Sequence, residues 1–190
     1  MEMLLRDLRS YAQSGGGENG LQGEVQMAGV LAKALADLSA AIDEAHAEVS
    51  HGELPTVWAH EIQLEQVFQN LISNAIKYRK DDETPRIFVG AARLPDHWIF
   101  SVRDNGIGIA AENQKRIFGI FKRLHGSGKY AGNGIGLAIC QRIVERNGGR
   151  IWVESDGVGK GGQRSESSMS GDGSPNYSVP DRGEPGPTFS

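Results

Sequence analysis

Asn70-Leu71-Ile72-Ser73-Asn74-Ala75-Ile76-Lys77-Tyr78 is followed by Asp104-Asn105-Gly106-Ile107-Gly108 and then by Gly132-Asn133-Gly134-Ile135-Gly136-Leu137. The order of these three stretches decides the fold. The first lies on a predicted helix, because Ile62, Leu64, Val67, Phe68, Leu71, Ile72, Ala75 and Ile76 recur at helical spacing over a wide apolar face that ends among Lys80, Asp81 and Asp82. The second closes a predicted hairpin, whose β-branched and aromatic arms 86–93 and 98–103 are joined by Leu94-Pro95-Asp96-His97. The third opens a helix over 135–146, stopped by Gly148-Gly149 and followed by a strand over 150–154.

Upstream, Leu4, Leu5, Leu8, Tyr11 and Ala12 mark a short amphipathic helix that Ser14-Gly15-Gly16-Gly17 stops. A short strand at 25–27 precedes a helix over 30–47 with Leu31, Leu35, Leu38 and Ile42 inward, and extended pieces follow around Val49 and at 56–58. Residues 111–121 read as a further helix. From Asp156 the composition turns to Gly, Ser, Pro and charge with almost nothing apolar to bury, the signature of disorder. The expected organisation is therefore a helix end and linker over 1–20, one globular domain over 21–155, and a largely disordered tail over 156–190.

Asn70 and Asn74 are four apart, so on a helix they lie about 40° apart on one face. Burying an amide without partners costs roughly 1–3 kcal/mol, so two beside Leu71, Ile72 and Ile76 need a reason. A hydrated Mg²⁺, which accepts neutral oxygen ligands and completes its shell with water and phosphate, supplies one. Lys77, one turn on, can meet the phosphates, with Tyr78 beside it. Two surface amides bonded to water or backbone are the plainer alternative. Asp104, at a strand end, can accept a hydrogen bond from the exocyclic amine of adenine, where guanine presents an oxygen. Gly106 and Gly108 allow a sharp, close-lying backbone. Alone, Asp104-Asn105-Gly106 is an ordinary turn. Gly132, Gly134 and Gly136 precede an apolar helix, so bare amides and the positive dipole end can face a polyphosphate, although a glycine-rich helix start is common. Between them, Ile117-Phe118-Gly119-Ile120-Phe121-Lys122-Arg123 joins aromatics that dock a segment to cations that can close over a nucleotide. Together, in order, the parts are far more specific than any one of them.

Composition narrows the classes. The 190 residues, 38% hydrophobic, suffice for one domain with a core, and a net charge of -4 argues against nucleic acid as principal partner. Cys140 stands alone, which excludes an internal disulfide and a multi-cysteine zinc site and fits a reducing cytoplasm. No apolar run approaches the roughly 20 residues that span a bilayer, and Glu2, Arg6, Asp7 and Arg9 do not read as a signal peptide, so direct membrane insertion is not expected.

At this point the chain resembles the ATP-binding catalytic domain of sensor histidine kinases, within the GHKL superfamily shared with gyrase, Hsp90 and MutL, over roughly residues 21–155. Residues 70–78 are similar to the N box, 104–108 to the G1 box, 117–121 to the F box and 132–137 to the G2 box. The resemblance implies the Bergerat α/β two-layer sandwich, a mixed sheet with three main helices on one face and an ATP lid between the F and G2 boxes. It implies ATP and Mg²⁺ as cofactors, Asn70 and Asn74 at the metal and phosphates, and Lys77 at the phosphates. It further implies Asp104 at adenine, with Tyr78, Asn105, Gly106, Ile107, Gly108, Phe118, Phe121, Lys122, Arg123, Gly132, Gly134, Ile135, Gly136 and Leu137 around the nucleotide. Superfamily members that hydrolyse ATP carry a glutamate where this chain has Asn70, and an amide cannot take a proton from water. Transfer of the γ-phosphoryl to a histidine on a helical hairpin module is thus implied, with that dimerisation module and a response regulator as partners and a homodimer through the N-terminal helix. The wording of 84–87 and 121–125 is similar to phytochrome-like kinases.

Two departures stand out. A phosphoacceptor His followed by an acidic residue and proline is missing, since His60-Glu61 lacks the proline. After Gly157-Val158-Gly159-Lys160-Gly161 the family's closing Gly-x-Gly-x-Thr-x-Phe motif gives way to foreign sequence, with a near match only at Gly183-Glu184-Pro185-Gly186-Pro187-Thr188-Phe189: either an insertion splits the motif or the tail is unrelated, and without its last strand the sheet would have a raw edge. The rival readings are a nucleotide-gated interaction module without catalysis and a GHKL ATPase.

Overall fold

A computed structural model describes residues 22–122, 133–155 and 163–170, the last stretch by its backbone. The expected helix over 3–13, residues Arg123, His125 and Gly132, and the lid loop lie outside the described residues.

Strand β1 (Gly23–Gln26) pairs antiparallel with β3 (Thr56–Ala59) as a separate two-stranded ribbon. Helix α1 (Met27–Asp37) follows β1 directly, and a second short helix, α2 (Ser39–Ala45), leads to β2 (Glu48–His51). The single helix expected over 30–47 is therefore two, broken at Leu38. Leu38 has φ -97° and ψ 5°. Leu35, Leu38 and Ile42, partly buried, pack both pieces against the core.

Helix α3 (Glu61–Lys77) carries the first motif, and β4 (Arg86–Arg93) and β5 (His97–Asp104) form the hairpin that ends at Asp104. Helix α4 (Gly136–Arg146) and β6 (Arg150–Ser155) close the motif-bearing part. The larger sheet has the order β2-β4-β5-β7-β6, with β2 parallel to β4 and every other pairing antiparallel. Its inward side chains, among them Ile87, Val89, Phe100, Val102 and Ile151, form one buried cluster with Val30, Leu31 and Ala34 of α1, Leu64 to Ile76 of α3, and Ile139, Ile143 and Val144 of α4. The result is the expected α/β sandwich, three main helices on a mixed sheet. Cys140 is fully buried there, its thiol pushed up to about 12 by burial, which makes it an inert core residue.

Two expectations fail. Residues 111–121 are not a helix: a 3-10 turn at Ala111–Asn113 runs into further tight turns, with Arg116 N donating to Asn113 O and Gly119 N to Arg116 O. Tertiary anchoring overrides the helical pattern here, because the Gln114 side chain donates to Ser155 O at 3.1 Å and Ile117 is drawn into a small cluster with Ile109 and Val153. The second failure is in the tail. Residues Gln163–Ser170 form strand β7, seated between β5 and β6 and paired with both. A serine-rich sequence with poor strand propensity is held there by backbone hydrogen bonds on two sides, so β5 and β6 keep partners and the raw edge predicted there does not occur.

The β7 register sets position 165 level with Val102 and Val153, and position 167 level with Phe100 and Ile151. Level residues in an antiparallel sheet share a face, so two serines occupy rows whose other members are buried and apolar. Ser167→Val should raise the unfolding free energy by about 1 kcal/mol, read as a higher urea midpoint with unchanged slope; an unchanged or lower midpoint would contradict this register.

Candidate nucleotide site

Helix α3 turns one polar stripe away from its apolar face. Asn70, Ser73, Asn74 and Lys77, at the i, i+3, i+4 and i+7 positions, all line a cavity of about 290 Å³. The opposite wall is the start of α4: Asn133, Gly134, Ile135, Gly136 and Leu137. Gly134 has φ 70°, a left-handed turn that glycine adopts without strain, and it swings the chain into the helix. The N-cap residue Ile135 makes no side-chain cap, and the first turn of α4 carries no acidic residue among the described residues. Its first N–H groups are therefore the kind of donors a bound anion satisfies.

The Asn70 amide is oriented by its own helix. Nδ2 donates to Gln66 O at 3.0 Å, which turns Oδ1 toward α4. A Cβ on Gly136 would stand 2.8 Å from that oxygen, so glycine is required for α3 and α4 to approach here. Among the described residues nothing engages the Asn74 carboxamide, which shares the cavity wall with Asn70. Two amide oxygens on one wall fit the hard, neutral ligands that Mg²⁺ accepts alongside phosphate and water. Lys77, its Nζ 4.8 Å from the centre of the Tyr78 ring, and Lys122 bring two cations. Among the described residues no carboxylate lines this cavity.

Asp104 stands outside the lining. Its turn is seated on the end of α3, where Ile107 N donates to Tyr78 O at 3.0 Å, and Tyr78 is itself a cavity wall. Gly106 N donates to Asp104 Oδ1 at 2.8 Å. Burial pushes the Asp104 carboxyl up from 3.8 to about 6, against the pull of that N–H.

Of the expected site residues, Asn70, Asn74, Lys77, Tyr78, Lys122, Gly134, Ile135, Gly136 and Leu137 line the cavity. Asp104, Gly106, Ile107 and Gly108 form the adjacent turn instead. Asn105 is turned away from it: Oδ1 accepts from Arg86 N at 2.8 Å and Nδ2 donates to Thr84 O at 2.9 Å, which ties down the turn before β4. Phe118 packs against the core rather than lining the cavity, and Phe121 is 56% exposed outside it. Arg123 and Gly132 lie outside the described residues. Ser73, Ile117, Asn133 and Ile139 line the cavity without having been singled out. Helical spacing from Asn70 is the signal that could have found Ser73, and Asn133 sits between two of the motif glycines.

With this geometry in hand, comparison with known proteins is decisive for the family. Residues 59–171 match the family described as "Histidine kinase-, DNA gyrase B-, and HSP90-like ATPase", and the chain belongs to it. Cyanobacterial phytochrome A of Nostoc sp. is 50% identical over 162 residues, covering 85% of this chain and 21% of that protein. Phytochrome-like protein Cph1 of Synechocystis sp. is 50% identical over 127 residues, covering 67% of this chain and 17% of that protein. The chain thus spans about a fifth of the length of such relatives. Among solved structures, full-length ShkA in complex with AMPPNP superposes with a TM-score of 0.73 at 27% identity, over 91% of this chain and 36% of that one. The mycobacterial sensor histidine kinase MprB shares the fold, with a TM-score of 0.67 at 22% identity over 80% of this chain and 98% of that one.

The raised Asp104 value has a stability consequence. With the folded pKa above the unfolded one, the native state holds more protons between pH 3.8 and about 6. The stabilisation is complete at low pH and is lost as pH rises through about 6, by up to about 3 kcal/mol. Asp104→Asn keeps an oxygen for the Gly106 N–H and removes the charge. The variant should be about 1–3 kcal/mol more stable than the parent at pH 7.5, with the gap closing toward pH 4, as measured by urea unfolding at both pH values.

Proposed function

We propose that this chain is the ATP- and Mg²⁺-binding catalytic domain of a two-component sensor histidine kinase, which transfers the γ-phosphoryl of ATP to a histidine on a helical hairpin module. The observation that carries this reading is the cavity whose described lining holds three asparagines and two lysines and no carboxylate, facing the start of α4. Phosphoryl transfer asks the protein mainly for positioning and charge compensation, which amides, ammonium groups and helix N–H groups provide. Hydrolysis needs a group that orients or deprotonates water, and the amide of Asn70 cannot act as that base.

In this reading Asn70 and Asn74 hold Mg²⁺, which when bound would offset the phosphate charge. Lys77 and Lys122 contact phosphate oxygens from the two sides of the cavity, while the amides of Gly134, Gly136 and Leu137 face the anion from the helix start. Ionised at neutral pH, Asp104 accepts a hydrogen bond from the adenine amine just beyond Tyr78. Among the described residues no helix is long and apolar enough to cross a membrane. The reading puts the domain in the cytoplasm, where ATP is available, with the hairpin module and a response regulator as partners and residues 3–13 as a dimer contact.

Incubation with a separately produced His-bearing hairpin domain and γ-labelled ATP should place acid-labile, base-stable label on that domain. Label recovered only as free phosphate would point to an ATPase, and nucleotide binding without any transfer to a gated interaction module. Asp104→Ala should weaken ATP binding about tenfold or more, and Asn74→Ala should remove the Mg²⁺ dependence of binding. Calorimetric titrations unchanged in both variants would overturn the site.

A further inference from the structure

Asn105 directly follows Asp104, yet its side chain is committed elsewhere. Oδ1 accepts from Arg86 N at 2.8 Å, and Nδ2 donates to Thr84 O at 2.9 Å and to Glu83 Oε2 at 3.3 Å. A carboxamide has two N–H donors, and both are used here. Glu83 is in turn held by Lys80 Nζ at 2.8 Å, just beyond the end of α3. The Asp104 turn is thus fastened twice to the segment that leaves α3, through Ile107 to Tyr78 and through Asn105 to residues 83–86. The first fastening touches the cavity wall. The second is a side-chain staple set away from the cavity.

We infer that Asn105 is a positioning residue for base selection, holding the Asp104 carboxylate in register with the phosphate-facing stripe of α3 without itself touching nucleotide. The inference rests on the proposed assignment of Asp104 to adenine. Loss of the staple releases one end of the turn, so the carboxylate samples positions in which the adenine amine is out of reach. The stripe of Asn70, Asn74 and Lys77 belongs to α3, which its own apolar face anchors to the core, and it stays in place. Base recognition and phosphate recognition therefore separate in a variant at position 105.

Calorimetry on the full chain with three probes, Mg-ATP, Mg-GTP and Mg-tripolyphosphate, tests this separation. Asn105→Ala should weaken ATP about tenfold, bring ATP and GTP affinities together, and leave tripolyphosphate within about twofold of the parent. A purely structural role would weaken ATP and tripolyphosphate alike, and a unchanged ATP-to-GTP ratio would also overturn the inference. Asn105→Asp keeps the acceptor for Arg86 N but sets a carboxylate against Glu83 and Thr84 O, so it should lose ATP preference as well. Adding Glu83→Gln supplies a donor to that carboxylate while Thr84 O still faces it, so it should restore part of the preference; no restoration counts against the staple, and this pair decides the matter if Asn105→Ala does not fold. A parent chain that binds tripolyphosphate but does not prefer ATP to GTP would instead remove the Asp104 assignment on which the inference stands.

Discussion

The backbone hydrogen bond from Ile107 to Tyr78 O, made with Gly106 pressed against the same carbonyl, sets the relation between the two halves of the site. A carbonyl at a helix C-terminus has no intrahelical partner, and here the turn after β5 supplies one. A Cβ at position 106 would lie 2.6 Å from Tyr78 O and 2.7 Å from Asp104 Oδ1, so any side chain would have to displace backbone. The polar stripe of α3 and the carboxylate at the end of β5 are held relative to each other where this contact closes, with the Asn105 side chain as the second fastening. Each reaches it from a different layer of the sandwich, the helix through its buried apolar face and the strand through its ladder with β4.

Electrostatics divides along the same line. On the cavity side are cations, amides and helix N–H groups, an environment that suits an anion. Beyond Tyr78 lies a partly buried carboxylate that accepts a hydrogen bond from the Gly106 N–H. Its raised pKa shows that ionisation there opposes folding, and a pairing with an adenine amine would return part of that energy on binding. A site with cations and amides at one end and a buried acceptor at the other is complementary to a ligand with a polyanion at one end and a hydrogen-bond donor at the other. The family to which the chain belongs is described as histidine kinase-, DNA gyrase B-, and HSP90-like ATPase, and the complementarity is in keeping with that description.

Periodicity made α3, the β4–β5 hairpin, α4 and β6 legible in the sequence, because each carries a strong apolar face and a terminating signal. The stripe of Asn70, Asn74 and Lys77 followed from helical geometry alone. What escaped was decided by contacts remote in sequence. Residues 111–121 carry a helical pattern, but Gln114 and Ile117 are claimed by the end of β6 and its small cluster. Residues 163–170 lack any apolar alternation, and their strand exists because two neighbouring ladders accept it. Asn105 looked like a nucleotide contact by its place beside Asp104, whereas its partners lie about twenty residues upstream in the turn before β4.

The two aromatics of the 117–121 segment show how one stretch of sequence is put to two uses. Phe118 packs between the main core and the cluster of Ile109, Ile117 and Val153, bridging them. Phe121, three residues on, has φ 60° and leaves most of its ring in water. A bulky residue in the left-handed region costs of order 1–3 kcal/mol and persists only where its surroundings dictate it. Here the dictation comes from the two sides of the segment: Phe118 and Ile117 are held by the core, while Lys122 is directed to the cavity and its N–H is bonded to Gly119 O at 3.2 Å. Gly119 permits that tight return, since a Cβ there would lie 2.8 Å from the Lys122 side chain. The left-handed turn at Phe121 is thus what lets a core-anchored segment deliver a cation to the site.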